Sequence, residues 1–191
     1  GLAEQLRRMG GAAASDGRSC GLCGLKMRST SLTEGGVCTL LEPLAAQGQL
    51  LQLDLSANLR KKMVPWPSGN DDDLGHALVS LIKSCTSLRS LSLGAEQKDA
   101  GTVKCDLSGL PDALADHGSL TSVDVAAMRV DEQTLCAIAN ALTRNKSLLT
   151  LTLPSAAKTS EALAADATIR VVLDRNRSLA AERLQLQPGE L

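Results

Sequence analysis

Aromatic residues are almost missing from this chain: among 191 residues there is one Trp, and there is neither Phe nor Tyr. Rings ordinarily supply the largest pieces of a core, so smaller side chains must fill this one. Leu occurs 35 times and Ala 25 times. The lack of rings argues against aromatic-rich β-sandwiches and against stacking platforms for single-stranded nucleic acid. A surplus of charge is missing too. The 20 basic and 21 acidic residues leave a net charge of −1, and so no general basic field for nucleic acid or a membrane. With 43% hydrophobic residues the chain is neither disordered nor too small to bury a core.

Long apolar runs are absent as well. None approaches the roughly 18 residues that span a bilayer, and Gly1 to Gln5 lack the basic end and apolar stretch of a signal peptide. We therefore expect a cytoplasmic protein without direct membrane insertion. The first residue is not Met, which reads as a fragment of a larger protein or a processed chain. The six cysteines, at 20, 23, 38, 85, 105 and 136, are read as reduced, because a Leu-rich chain of this size needs no disulfide staples.

Catalytic and metal signals are equally thin. Cys20 and Cys23 form one CxxC, but a zinc site needs four ligands and no second pair follows. His76 and His117 are isolated. No phosphate loop, nucleophile elbow or HExxH occurs. The expectation is a non-enzyme with no cofactor, no metal and no catalytic residue.

What the chain does have is a repeat. Leu-x-x-Leu-x-Leu recurs as Leu22, Leu25, Met27; Leu50, Leu53, Leu55; Leu88, Leu91, Leu93; Leu120, Val123, Val125; and Leu148, Leu151, Leu153. The first positions are 28, 38, 32 and 28 residues apart, which makes 28 the base unit, with insertions of ten and four. A second series keeps step with the first. Leu44, Ile82, Leu114, Leu142 and Leu173 each precede the next first position by six, and Leu40, Leu78, Leu110, Ile138 and Ile169 precede those by four. An i, i+4 pair lies on one helix face. Each unit is thus a short strand followed by an amphipathic helix.

The spaces between follow from composition. Residues 1–21 read as the helix of a preceding partial repeat and a Gly/Ala/Ser-rich loop. Gly35-Gly36 opens the first full helix, which Pro43 can kink. The longest insertion, Leu59 to Asn70, holds Pro65, Trp66 and Pro67. Trp66 either folds back on a helix face or stands out as a contact anchor. Asp71-Asp72-Asp73 reads as a helix cap, with a metal or basic-partner site as the alternative. Thr159 or Ser160 caps the last helix. After Leu179 the strand pattern stops at Glu182, so 179–191 reads as a tail closing the solenoid, and 22–178 as the repeat domain.

Side chains alternate along a strand, so the residues between the inward Leu positions line the concave face. These are Lys26, Arg28, Gln52, Asp54, Ser56, Ser90, Ser92, Ser122, Asp124, Thr150 and Thr152. With Trp66 they form the candidate protein-binding set. They are small, polar and mixed in charge, which suits a protein partner better than a nucleic-acid backbone.

The register resembles the leucine-rich repeat of ribonuclease-inhibitor type. That resemblance implies an α/β solenoid, a right-handed horseshoe arc of about five strand–helix units with a parallel inner sheet. The family's Asn, three residues after the last strand Leu, is present only as Asn58; Thr30, Glu96, Met128 and Ala156 hold the other sites. LTSVDVAAMRV, CAIANALTRNKSLLTLTLP and DRNRSL look like the carboxyl end of the CARMIL family's repeat domain. Tropomodulin's terminal repeat domain is similar too. The likeness runs over residues 50 to 180. It implies a scaffold of actin regulation that binds protein partners. Two other readings stay open: the sensor region of an innate-immune-type receptor, and a GTPase-regulating repeat protein.

Overall fold

The computed structural model describes residues 22–59, 72–95, 100–154 and 159–185. Residues 1–21, Cys20 among them, lie outside the described residues, as do the Trp66 insertion, Asp71 and residues 186–191.

Among the described residues, five three-residue strands alternate with five helices: β1 (Gly24–Lys26), α1 (Glu34–Gln47), β2 (Gln52–Asp54), α2 (Asp72–Ser84), β3 (Ser90–Ser92), α3 (Leu110–Ala115), β4 (Ser122–Asp124), α4 (Glu132–Leu142), β5 (Thr150–Thr152) and α5 (Ser160–Gln185). The strands form one parallel sheet in chain order. Each repeat sets its middle residue beside the next, giving the row Leu25, Leu53, Leu91, Val123, Leu151. One backbone bond recurs just beyond the strands. Met27 N–H donates to Asp54 O at 2.8 Å, Leu55 to Ser92 O at 2.8 Å, Leu93 to Asp124 O at 2.7 Å and Val125 to Thr152 O at 3.0 Å. The expected α/β solenoid with a parallel inner sheet is the observed architecture.

The helices follow from their apolar spacing and caps. In α2 the buried residues are Leu74, Leu78, Leu81 and Ile82, one stripe at helical period. The Thr33 hydroxyl accepts from Gly36 N–H at 3.1 Å at the start of α1. Asp131 accepts from Thr134 N–H at 2.7 Å at the start of α4. Thr159 accepts from Ala162 N–H at 3.2 Å at the start of α5, which decides between the two expected caps. Pro43 is buried inside α1, and the helix continues to Gln47.

The core is the expected stack of aliphatic layers. Leu50, Leu53, Leu55, Leu88, Leu91, Leu93, Leu120, Val123 and Val125 are all essentially inaccessible. Leu22, Leu25 and Met27 in the first described unit, and Leu151 and Leu153 in the last, are only partly buried. Each layer is covered by its neighbours, and the end layers have a described neighbour on one side only.

Between β3 and α3 the inserted residues form an isolated parallel bridge outside the five strands, Val103 beside Met128. The same insertion passes very close to α2. A Cβ at Gly75 would sit 1.8 Å from the Asp106 carbonyl oxygen.

A second ladder runs through the turns that lead from helix to strand. Three residues before the first strand Leu stand Cys85, His117, Asn145 and Asn176, all buried. Each reaches back to the preceding repeat. The Cys85 thiol donates to Leu44 O at 3.5 Å. His117 Nε2 donates to Cys85 O at 3.1 Å, while its Nδ1 accepts from Leu120 N–H at 3.0 Å. Asn145 Nδ2 donates to Leu114 O at 2.6 Å and His117 O at 3.2 Å, and its Oδ1 accepts from Leu148 N–H at 2.8 Å. Asn176 Nδ2 donates to Asn145 O at 3.2 Å and Leu148 O at 2.9 Å. At the other end of the strands, Asn58 does the same work once. Its Oδ1 accepts from Thr30 N–H at 2.7 Å and Leu32 N–H at 3.2 Å, and its Nδ2 donates to Leu55 O at 2.9 Å.

The last rung explains the far end. Asn176 lies inside α5, and the helix runs on past Leu179 to Gln185. Residues expected to begin the closing tail therefore continue the helix. Ala180, Ala181 and Glu182 favour helix over strand.

Two predictions follow from these contacts. Gly75→Ala should cost about 2 kcal/mol or more, because backbone must move to admit the Cβ. Gly35→Ala, whose Cβ meets nothing within 4 Å, should leave the urea midpoint unchanged or raised. Equal midpoints for the two variants would contradict this. The second prediction concerns pH. Burial holds the His117 imidazole below its ordinary range, opposed by the Cys85 and Ile82 carbonyls. The unfolded chain gains this proton as the pH falls through about 6.5, while the folded chain resists it. The stabilisation is complete above that pH and is lost as the pH falls toward the lower folded value. His117→Asn, the residue found at the next two rungs, should flatten the dependence of the melting temperature on pH in this window. An unchanged slope would disprove it.

Candidate functional site: the concave sheet face

The strand register arranges the expected site residues in rows. Gln52, Ser90, Ser122 and Thr150 lie side by side, and Gly24 begins their row. Lys26, Asp54, Ser92, Asp124 and Thr152 form the second row. Arg28 and Ser56 start a third beyond the strand ends, where Ser29 N–H donates to Ser56 O at 3.1 Å. Eleven of the twelve residues of the set are thus brought to one face; Trp66 lies outside the described residues.

Within these rows the polar groups form two clusters. In the first, the Ser56 hydroxyl donates to Asp54 Oδ1 at 2.6 Å and accepts from Arg28 Nε at 2.9 Å. Arg28 also approaches Asp54 Oδ2 at 3.6 Å. Ser56 is itself buried, so it braces this cluster rather than offering a contact. The Arg28 side chain is 69% exposed against 23% for Asp54, and an exposed ion pair of this kind contributes little to stability.

The second cluster surrounds Asp124. Its Oδ1 accepts from Ala126 N–H at 3.1 Å and its Oδ2 accepts from the Ser92 hydroxyl at 3.3 Å. Asp54 makes the same bond two residues on, to Ser56 N–H at 3.1 Å. Both carboxylates therefore turn the chain out of its strand. They differ in what remains. Asp54 faces Arg28, whereas Asp124 has no ion pair among the described residues. One row over, the Thr150 and Ser122 hydroxyls are 2.8 Å apart. The face is therefore graded, basic at Lys26 and Arg28 and acidic at Asp124.

Gly94 makes room for that carboxylate. A Cβ there would lie 2.1 Å from Asp124 Oδ2 and 2.8 Å from Cγ. Sequence reasoning placed Asp124 on the face but missed Gly94. Their contact spans neighbouring repeats, and Gly94 follows the last strand Leu directly, in the place Ser56 holds one repeat earlier. The turn ladder was missed too, although its signal was present. The string Cys/His/Asn-x-Ser-Leu occurs at 85–88, 117–120, 145–148 and 176–179.

Among the described residues no group of His, Cys, Asp and Glu is disposed to hold a metal ion. No described helix is long and apolar enough to cross a membrane.

A parallel sheet of short strands, one per repeat, with helices outside and aliphatic layers between, defines a leucine-rich-repeat-type α/β solenoid. Solved structures of the same shape exist. The C-terminal domain of a Caenorhabditis elegans tropomodulin superposes with a TM-score of 0.66 and 16% identity, over 97% of this chain and 99% of that one. The actin-binding site 2 of leiomodin-1 superposes with a TM-score of 0.62 and 19% identity, over 97% of this chain and 93% of that one. At these identities the likeness is one of fold, and it agrees with the tropomodulin-like resemblance. No family model matches the chain, and no curated protein matches it.

The fit of Asp124 over Gly94 predicts a coupled pair. Gly94→Ala should cost about 1–3 kcal/mol by forcing the carboxylate aside. In an Asp124→Ala background the same substitution should cost much less. A double-mutant cycle measured by urea unfolding checks this; additive costs would refute the contact.

Proposed function

We propose that this chain is a non-enzymatic protein-binding module of the actin cytoskeleton, acting in the cytoplasm. The observation that carries this reading is the fold likeness to the actin-binding site 2 of leiomodin-1 over nearly the whole of both chains. The tropomodulin C-terminal domain supports it with a likeness of equal extent. Within this reading the repeat belongs to the ribonuclease-inhibitor type, and a CARMIL-like scaffold is the alternative to a tropomodulin-like one. The repeat domain proposed over residues 22–178 shares its last helix, α5, with the segment that follows, since α5 runs on to Gln185.

The concave face is the binding surface in this proposal, with Trp66 as a further anchor. Solvated, graded polar rows suit a partner surface that carries both signs of charge. Asp124 is the strongest contact candidate, because its carboxylate is braced by Ser92 and the Ala126 amide yet has no described cation opposite it. Lys26 and Arg28 supply the opposite sign.

Co-sedimentation with filamentous actin and fluorescence titration of monomeric actin test the proposal. The wild-type chain should bind one of the two forms. Asp124→Arg should weaken that binding at least about tenfold, the scale of a truncated interface charge pair, without lowering the melting temperature by more than its lost local bonds account for. No binding to either form would overturn the actin reading. Undiminished binding by Asp124→Arg would overturn the assignment to the concave face.

A further inference from the structure

A cleft of roughly 720 Å³ opens between the C-terminal ends of α2 and α3. No strand residue lines it, so it is separate from the concave face. It is lined by Ile82 and Lys83 of α2, by Asp112 and Ala113 of α3, and by the turn residues 116–119. The volume is in the range that holds a small ligand or a few residues of a peptide.

The walls carry opposite charges. Asp112 stands on α3 and Asp116 just past its end, and Lys83 stands across from them near the end of α2. Ile82 and Ala113 line the cleft as well and are buried, so they provide an apolar floor. None of the three charged groups has a hydrogen bond or ion pair, with each other or with any group of the described residues. The cleft thus holds an ammonium and two carboxylates too far apart to satisfy one another. A ligand with both charges, joined by an apolar stem, can satisfy all three.

We propose that this cleft binds the C-terminal residue of a partner chain when that residue is arginine or lysine. The side-chain cation meets Asp112 and Asp116, the stem lies on Ile82 and Ala113, and the terminal carboxylate meets Lys83. Arginine is preferred, because its planar fork can engage carboxylates with paired hydrogen bonds. Its methylene stem is apolar enough for the floor. A free basic amino acid carries the same cation and carboxylate but adds an α-ammonium next to the carboxylate. Lys83 repels that second ammonium, so the chain end is favoured over the free amino acid.

The test uses Nα-acetyl-arginine as the probe, with the protein's amide resonances followed by NMR. Saturable shifts centred on Ala113, Gly118 and Ser119 are expected, with a dissociation constant in the millimolar range for so small a ligand. Nα-acetyl-arginine amide and free arginine should each bind several-fold more weakly, and Nα-acetyl-norleucine weaker still. Asp112→Asn/Asp116→Asn should lose tenfold or more. Lys83→Gln should weaken Nα-acetyl-arginine but leave its amide unchanged, a split that a merely structural effect would not produce. All three charged side chains are exposed, so the variants should keep the wild-type spectrum away from the cleft. No localised shifts, or equal binding of Nα-acetyl-arginine and Nα-acetyl-norleucine, would overturn the proposal. Free arginine binding as tightly as Nα-acetyl-arginine would overturn its assignment to a chain end.

Discussion

Every turn of this solenoid must dispose of the carbonyl groups at a helix end, and it must do so away from water. A helix leaves its last carbonyls without internal partners. Leaving such a group buried and unpaired costs about 1–3 kcal/mol. The chain meets the constraint with the residue that stands three places before the next repeat's first strand Leu. Cys85, His117, Asn145 and Asn176 differ in size and chemistry, yet each aims a donor at the preceding turn. The strands can then lie in register, and the aliphatic layers close behind them.

Two scales of interaction therefore build the molecule. The Leu layers provide the bulk of the apolar burial, and side chains of similar size let each layer stack on the last without rings. The ladder adds fewer contacts but sets where each strand begins. Function is proposed on the solvated rows of the sheet and in the cleft beside the helix ends, where His117 of the ladder is one of the lining residues. Each place holds a carboxylate without an ion pair among the described residues. Asp124 looks inward over the sheet, while Asp112 and Asp116 look outward from the helical side.

Much of this architecture can be read directly from the chain. The strand triads and the paired helix positions predict all five strands, their order of stacking and the buried stripe of α2, because both rest on spacing alone. Local chemistry narrows the last N-cap to Thr159 or Ser160, and only the bond from Ala162 N–H to Thr159 chooses between them. The ladder is harder to read, since one structural task is shared among Cys, His and Asn. The Asn position three residues after the last strand Leu is filled by Asn only at Asn58, at the opposite end of the strand. The end of α5 is also opaque to spacing: the strand pattern fails at Glu182, and helix propensity carries the chain on to Gln185. The rows of the concave face follow from alternation, whereas the seating of Asp124 against Gly94 depends on a close approach between repeats that no spacing reveals.

The ladder also has a direction. Side-chain donors in later repeats reach carbonyls in earlier ones: Cys85 to Leu44, Asn145 to Leu114, Asn176 to Leu148. The smaller helpers point the same way, Ser147 to His117 O and Thr121 to Arg89 O. A repeat leaving the ribosome thus carries turn carbonyls that await a side-chain donor from its successor, and each newly synthesised unit completes the one before it. Removing residues from the carboxyl end strips the cover from a finished turn, while removing them from the amino end frees side chains that water can hydrate. The two ends of this solenoid are therefore unequal under truncation, and the carboxyl end is the one whose loss unravels the neighbour.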